Sequence, residues 1–162
     1  MKQMLAWIAR IVAWALPGTA LACGVPQAQD LRQDARAAEA INGVVLVAFV
    51  GEYCGYCERV MNEFLLPMSE DPQYRQKVVM RQVETRSRRP LRDFHGRASS
   101  PQQFARQHGI RVVPSIAVFD RQGRMLGKPL VGLTLVDYYG LYLDDLINAG
   151  LSQVRENASG GG

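Results

Sequence analysis

The spacing of apolar residues changes several times along the chain, and each change marks an element. Leu31, Ala35, Ala38 and Ile41 recur at helical intervals, with Asn42-Gly43 as a stop. The next run, VVLVAFV at positions 44–50, is continuous, apolar and rich in β-branched residues, which predicts a strand covered on both faces. Gly51-Glu52-Tyr53 ends it, and Val60, Met61, Phe64 and Leu65 then form a helical stripe interrupted at Pro67. KVVMRQVE (77–84) reads as a second strand, and the basic, polar stretch at 85–100 as a loop. Ser100-Pro101 and Gly109 bracket a short helix. IRVVPSIAVFD leads into a third strand, DRQGR makes a turn, and MLGKPLVG forms a fourth strand. Leu135, Tyr138, Leu141, Tyr142 and Leu146 place a closing helix that ends near Gly150, with residues 151–162 as a disordered tail. This order predicts an α/β protein, a three-layer sandwich with a central mixed sheet flanked by helices. No internal repeat is visible.

The first 22 residues do not belong to that pattern. Lys2 and Arg10 give a basic start, Ile11–Leu16 an apolar run, Pro17-Gly18 a break, and Ala20-Leu21-Ala22 the small-x-small pattern of a signal-peptidase site. Residues 1–22 are therefore expected to be a signal peptide and residues 23–150 one domain, which suits a chain of 162 residues. An uncleaved N-terminal anchor is the alternative. Cleavage after Ala22 would leave Cys23 first, where ALAC is a weak lipobox, so lipidation at Cys23 is a minority expectation. Losing Lys2 and Arg10 lowers the formal charge from +4 to +2, too little to argue for nucleic acid as a partner. Export to the periplasm permits disulfides.

Three cysteines cannot all pair internally, and Cys23 is the odd one. Cys54 and Cys57, separated by Gly55-Tyr56, come directly after the end of a strand and open a helix. Disulfide exchange, a metal site and ordinary structural burial compete for that pair. Exchange needs an accessible attacking thiolate and a second thiol nearby to resolve the mixed disulfide. A helix tip favours negative charge on Cys54, C-x-x-C sites can lower a cysteine pKa from about 8.5 to roughly 3.5–7.5, and Cys57 lies one turn further in. Zinc needs four ligands, and beyond one C-x-x-C the chain offers only Cys23, His95 and His108. No metal and no cofactor are expected.

FVGEYCGYC together with RVVPSIAVFDRQGR resembles the thioredoxin superfamily, over roughly Asp30–Gly150. The resemblance implies a thioredoxin-like fold and a thiol–disulfide oxidoreductase, with Cys54 and Cys57 as the catalytic pair. It also implies a cis-proline at Pro114 facing that pair, whose preceding backbone at Val113 takes up the substrate chain. Gly132 matches a glycine that lets the partner's backbone approach, and Tyr56 lies on the groove. The Cys-Gly-Tyr-Cys tetrapeptide is shared with the periplasmic disulfide isomerase DsbC, whereas valine before the cis-proline is found in the oxidase DsbA. Ala48 stands where thioredoxins carry a buried aspartate; Glu52 reads either as a partial substitute from the loop or as a solvated glutamate, and Tyr53 replaces the usual tryptophan.

These readings lead to an exported thiol–disulfide oxidoreductase acting on protein substrates, as reductase or isomerase before oxidase. Its partners would be protein thiols or disulfides and a redox partner, with a membrane electron donor as one candidate. Contact with the membrane itself is expected only if Cys23 is lipidated or the signal retained. A non-catalytic peptide-binding or chaperone module is the alternative function. Arg86, Arg88, Arg89, Arg92 and Arg97 form a basic loop that reads either as a docking surface for an acidic partner or as a solvated face.

Overall fold

The computed structural model describes residues 24–159, so the expectations for residues 1–22 and for Cys23 lie outside the described residues. Asp30 caps α1 (Leu31–Ala40) by accepting the N–H of Gln33, and the chain then enters β1 (Val44–Val50). Every residue of β1 is buried. Val44, Leu46, Ala48 and Val50 enter one apolar cluster, and Val45, Val47 and Phe49 enter a second on the opposite face. Six of its seven residues are Val, Leu or Phe, so their burial is worth on the order of 10 kcal/mol before chain entropy is subtracted.

The sheet has the order β2-β1-β5-β6. β2 (Val78–Glu84) runs parallel to β1, β5 (Ser115–Phe119) antiparallel to it, and β6 (Leu130–Val131) antiparallel to β5. A separate hairpin, β3 (Leu91–Arg92) with β4 (Ala98–Ser99), lies in the stretch read as loop. One face of the sheet carries α1 and α5 (Pro101–Gln107); the other carries the segment after the cysteines and the final helix, α6 (Tyr139–Ser159). The expected mixed α/β sandwich is thus the observed one.

Three boundaries differ from the sequence expectation. The helix opening at Gly55 does not stop at Pro67. It runs as α2 (Gly55–Val60), a π-helical turn (Met61–Leu65) and α3 (Leu66–Glu70), and the short α4 (Pro72–Arg75) comes next. A proline cannot donate to the carbonyl four residues back and its ring crowds that carbonyl. The wider π register just before Pro67 lets the chain pass it, with the Leu66 N–H bonding to Met61 five residues earlier. The fourth strand is shorter than expected: Met125 makes only an isolated bridge to Phe119, and pairing resumes at Leu130. The last helix, entered by a 3₁₀ turn (Val136–Tyr138), continues to Ser159, so the tail expected from 151 is largely helical. The reason is apolar: Leu151 is buried and Val154 packs on the core. Gly150, expected as a stop, lies inside α6. A Cβ there would stand 2.8 Å from Val118 Cγ1 and 3.4 Å from Leu126 Cδ1, so the glycine marks a close approach of helix to sheet.

Two tight turns share the pattern D-x-x-G-R, Asp93–Arg97 and Asp120–Arg124. In each, the buried aspartate accepts the N–H groups two and four residues on through Oδ1, and the arginine Nε through Oδ2. Gly96 (φ 77°) and Gly123 (φ 78°) supply the left-handed residue. Burial opposes ionisation of Asp93, but the bonds from Arg97 and His95 outweigh it and hold its pKa below the usual carboxylate value. On α1, Asp34 is buried against Arg81 of β2 at 2.6 Å; burial raises its pKa and the arginine partly offsets this.

This packing leads to two expectations for stability. Gly→Ala inside a helix normally gains about 1 kcal/mol, whereas forcing a methyl into a packed core costs about 1–3 kcal/mol. Gly150→Ala should therefore lower unfolding stability by about 1 kcal/mol in urea titrations. His108 is packed against Phe104 (4.5 Å) and Phe119 (4.9 Å), and burial lowers its pKa. Its neutral form is favoured in the folded state. That contribution is complete above the ordinary imidazole pKa of about 6.5 and is lost as pH falls toward the lowered folded value. Thermal melts should decline over that window, and the decline should shrink in His108→Phe.

Candidate active site

The parallel and antiparallel pairings bring four chain ends to one edge of the sheet. Val50 pairs with Glu84 and Phe49 with Ser115, while Ser115 pairs with Val131. The C-terminal ends of β2, β1 and β6 and the N-terminal end of β5 therefore meet there, in the spatial order of the strands. From β1 the chain continues through Gly51, Glu52 and Tyr53 to Cys54. Tyr53 makes this turn with φ +54°, a conformation that costs a non-glycine residue of order 1 kcal/mol, and its side chain is 95% exposed.

Cys54 is the N-cap of α2, with extended backbone, and its Sγ accepts the N–H of Cys57 at 3.2 Å. Cys54 and Cys57 form a disulfide, with Cα atoms 5.2 Å apart. The two sulfurs differ in access: Cys54 is half-buried, whereas Cys57 is only 3% exposed and belongs to the core cluster beneath. The unpaired amides of a helix's first turn, and the dipole behind them, face the Cys54 side.

Facing the pair is the loop before β5. The Val113-Pro114 peptide is cis and Pro114 is buried. Gly51 sits between this loop and the cysteines: a Cβ added there would lie 3.0 Å from Val113 Cγ2 and 3.8 Å from Cys54 Cβ. A side chain at 51 would crowd Val113, while 3.8 Å from Cys54 is ordinary contact. Neither the N–H nor the C=O of Val113 is hydrogen-bonded among the described residues, although its neighbours are. The Pro114 carbonyl accepts the N–H of Gly132 at 2.7 Å, and the Ser115 hydroxyl donates to the Val112 carbonyl at 2.7 Å. Gly132 has φ +75° and nothing within 4 Å of a built Cβ, so it leaves this side of the groove open. Tyr56, 66% exposed, and Val112, Val131, Leu135 and Tyr138 supply exposed apolar surface at this end of the molecule.

The structure thus brings together Cys54, Cys57, Val113, Pro114 and Gly132 around one edge, with Tyr53 and Tyr56 exposed on the turn and first helical turn that carry the cysteines. Glu52 is exposed and makes no side-chain hydrogen bond or ion pair among the described residues, so it stands apart from the buried Cys57. Ala48 is fully buried in the same cluster as Cys57. The buried carboxylates Asp34, Asp93 and Asp120 are each held by their own arginine, at 2.6, 2.8 and 2.6 Å. Gly51 and Ser115 are site residues that sequence reasoning does not single out. The available signals were a glycine directly after a buried strand and a serine directly after the proline. Among the described residues no group of His, Cys, Asp and Glu is arranged to hold a metal ion.

The fold is similar to that of several solved thioredoxins. Thioredoxin f2 of Chlamydomonas reinhardtii superposes with a TM-score of 0.50 at 17% identity, over 73% of this chain and 93% of that one. The oxidised mitochondrial thioredoxin 3 of Saccharomyces cerevisiae gives 0.49 at 13% identity, over 76% and 93%, and spinach chloroplast thioredoxin f 0.49 at 16%, over 77% and 95%. No curated protein sequence matches. The model of the thioredoxin-like domain matches residues 31–146, which is well over half of the chain. By that match and by its mixed sheet flanked by helices, the protein belongs to the thioredoxin-like domain family, with a disulfide-forming Cys54-Cys57 pair at the end of its central strand.

Proposed function

We propose that this chain is an exported thiol–disulfide oxidoreductase that exchanges disulfides with protein substrates, as reductase or isomerase before oxidase. The observation that carries the reading is the placement of the half-buried Cys54 sulfur at a helix tip, beside the unpaired backbone of Val113. An extended substrate segment laid along Val113 gains main-chain hydrogen bonds there and presents its disulfide to Cys54.

The exchange balances in two steps. The Cys54 thiolate attacks one sulfur of the substrate disulfide, forming a mixed disulfide and releasing the other sulfur as thiolate. Cys57 then gives up its proton and attacks Cys54 Sγ. This releases the second substrate sulfur and leaves the Cys54-Cys57 disulfide, two electrons having passed to the substrate. A dithiol donor, with a membrane electron donor as the first candidate, returns the enzyme to its starting state. In isomerisation the released substrate thiolate attacks a second disulfide of the substrate, and the thiolate freed there attacks the mixed disulfide, so that Cys54 leaves as thiolate with no net transfer of electrons. The N–H of Cys57, directed at Cys54 Sγ, favours a thiolate there. Ala48 offers no proton acceptor to Cys57, so its proton passes to solvent or to the departing sulfur. Export rests on the pattern of residues 1–22, and the periplasm is the compartment that pattern fits best.

A peptide-binding module without catalysis is the second reading, favoured by the exposed Tyr53, Tyr56 and Val112. Cys57→Ser should accumulate mixed disulfides through Cys54 that disappear with dithiothreitol, and Cys54→Ser should not. Failure of Cys57→Ser to form an adduct with any disulfide peptide would remove the exchange reading. Peptide binding undiminished in the double serine variant would then leave the module. The reduction potential of the pair, measured in glutathione buffers by mass after thiol trapping, separates the directions. A value near about −270 mV assigns a reductase and one near about −180 mV an isomerase, while about −120 mV would replace both with an oxidase.

A further inference from the structure

The five arginines of the stretch between β2 and α5 are not equivalent once folded. Arg89 bonds to Gln27 and Ser87, Arg97 to Asp93, and Arg92 to the Gly96 carbonyl. Among the described residues, the side chains of Arg86 and Arg88 make no hydrogen bond or ion pair. Arg86 lies just past the end of β2, held in place as Thr85 bonds twice to the Val50 carbonyl. It lines a recess of about 170 Å³ with Gly51, Glu52, Thr85, Ile110, Arg111 and Val113. Arg111, from the loop before β5, is also exposed and also without a partner among the described residues. The acidic side chain nearest in sequence, Glu84, accepts the backbone N–H of Arg86.

Strand order fixes what lies on each side of Cys54. Across the active edge, the basic recess is on the β2 side of Val113. Gly132, with exposed Val131 and Leu135, is on the β6 side. A segment lying across Val113 therefore passes from a charged to an apolar environment. The residues that line the recess include two arginines and one glutamate, a formal balance of +1 that a single further carboxylate brings to neutrality.

We propose that Arg86 and Arg111 are specificity residues, which select substrates carrying an acidic side chain next to the reactive cysteine on the β2 side. The proposal rests on the exchange reading above. Rim charges of this kind act chiefly on encounter and on the choice of partner. With exposed pairs each contributing modestly, two arginines correspond to about a fivefold preference.

The test uses, for each flank of the reactive cysteine in turn, three disulfide peptides identical except for Glu, Gln or Lys on that flank, with the reduced protein and stopped-flow detection. The expected order of second-order rate constants on one flank is Glu, then Gln, then Lys, with about fivefold between the first two at low salt. The Glu preference should shrink toward one in about 0.5 M salt, where the screening length falls to a few ångströms. It should collapse in the Arg86→Gln/Arg111→Gln double variant. It should persist in Arg36→Gln/Arg106→Gln, which removes the same charge from exposed positions on α1 and α5. Equal rates for the Glu and Gln peptides, or a preference that survives in Arg86→Gln/Arg111→Gln, would overturn the proposal while leaving exchange intact. No reaction with any of these peptides would instead strike the exchange reading, and this proposal with it.

Discussion

The burial of β1 on both faces is the constraint from which the rest of the molecule is arranged. A seven-residue strand with no polar side chain has no face that can be left to water, so helices must cover it above and below. Parallel pairing with β2 and antiparallel pairing with β5 satisfy its backbone. The last residue of that strand is also the last point at which the chain is held on all sides. From there, Gly51 to Cys54 leave the buried sheet, with Glu52 and Tyr53 exposed and Cys54 half-buried. A reactive sulfur placed there is positioned by the core without being enclosed by it.

Chemistry is then divided by depth. Cys54 sits at the rim and Cys57, three residues on, belongs to the apolar cluster, so the same helical turn supplies one accessible and one protected sulfur. The protected sulfur lies in the apolar cluster, while the buried aspartates are each held by an arginine of their own. Opposite the pair, the bonds of Ser115 and Gly132 hold the loop around Pro114, and the Val113 backbone has no partner among the described residues. An unpaired stretch of backbone is a liability in most folds, since it can pair with another extended chain.

Most of the architecture was legible in the sequence. The unbroken apolar run of β1, the Ser100-Pro101 start of α5 and the helical spacing after Cys57 all correspond to elements observed. So does the pairing of Cys54 with Cys57. The departures have a common cause: a local signal was overridden by packing. Pro67 reads as a stop, but one π turn carries the helix past it. Gly150 reads as a cap, but its missing side chain is what lets α6 lie against Val118. The D-x-x-G-R turns were visible as letters, yet only the buried carboxylates of Asp93 and Asp120 show them to be one device used twice.

The sequence by itself determined the strand, the helix and the two sulfurs at their junction, because hydrophobic periodicity and short spacing are local properties. Only the tertiary structure decided that Val113, far along the chain from Cys54, stands near it with its backbone unpaired among the described residues, since that proximity depends on the antiparallel return of β5. It also decided that Arg86 and Arg111 share one recess while Arg89, Arg92 and Arg97 are occupied elsewhere. Charge in a sequence is a count; whether a charge is available depends on what the fold places within reach of it.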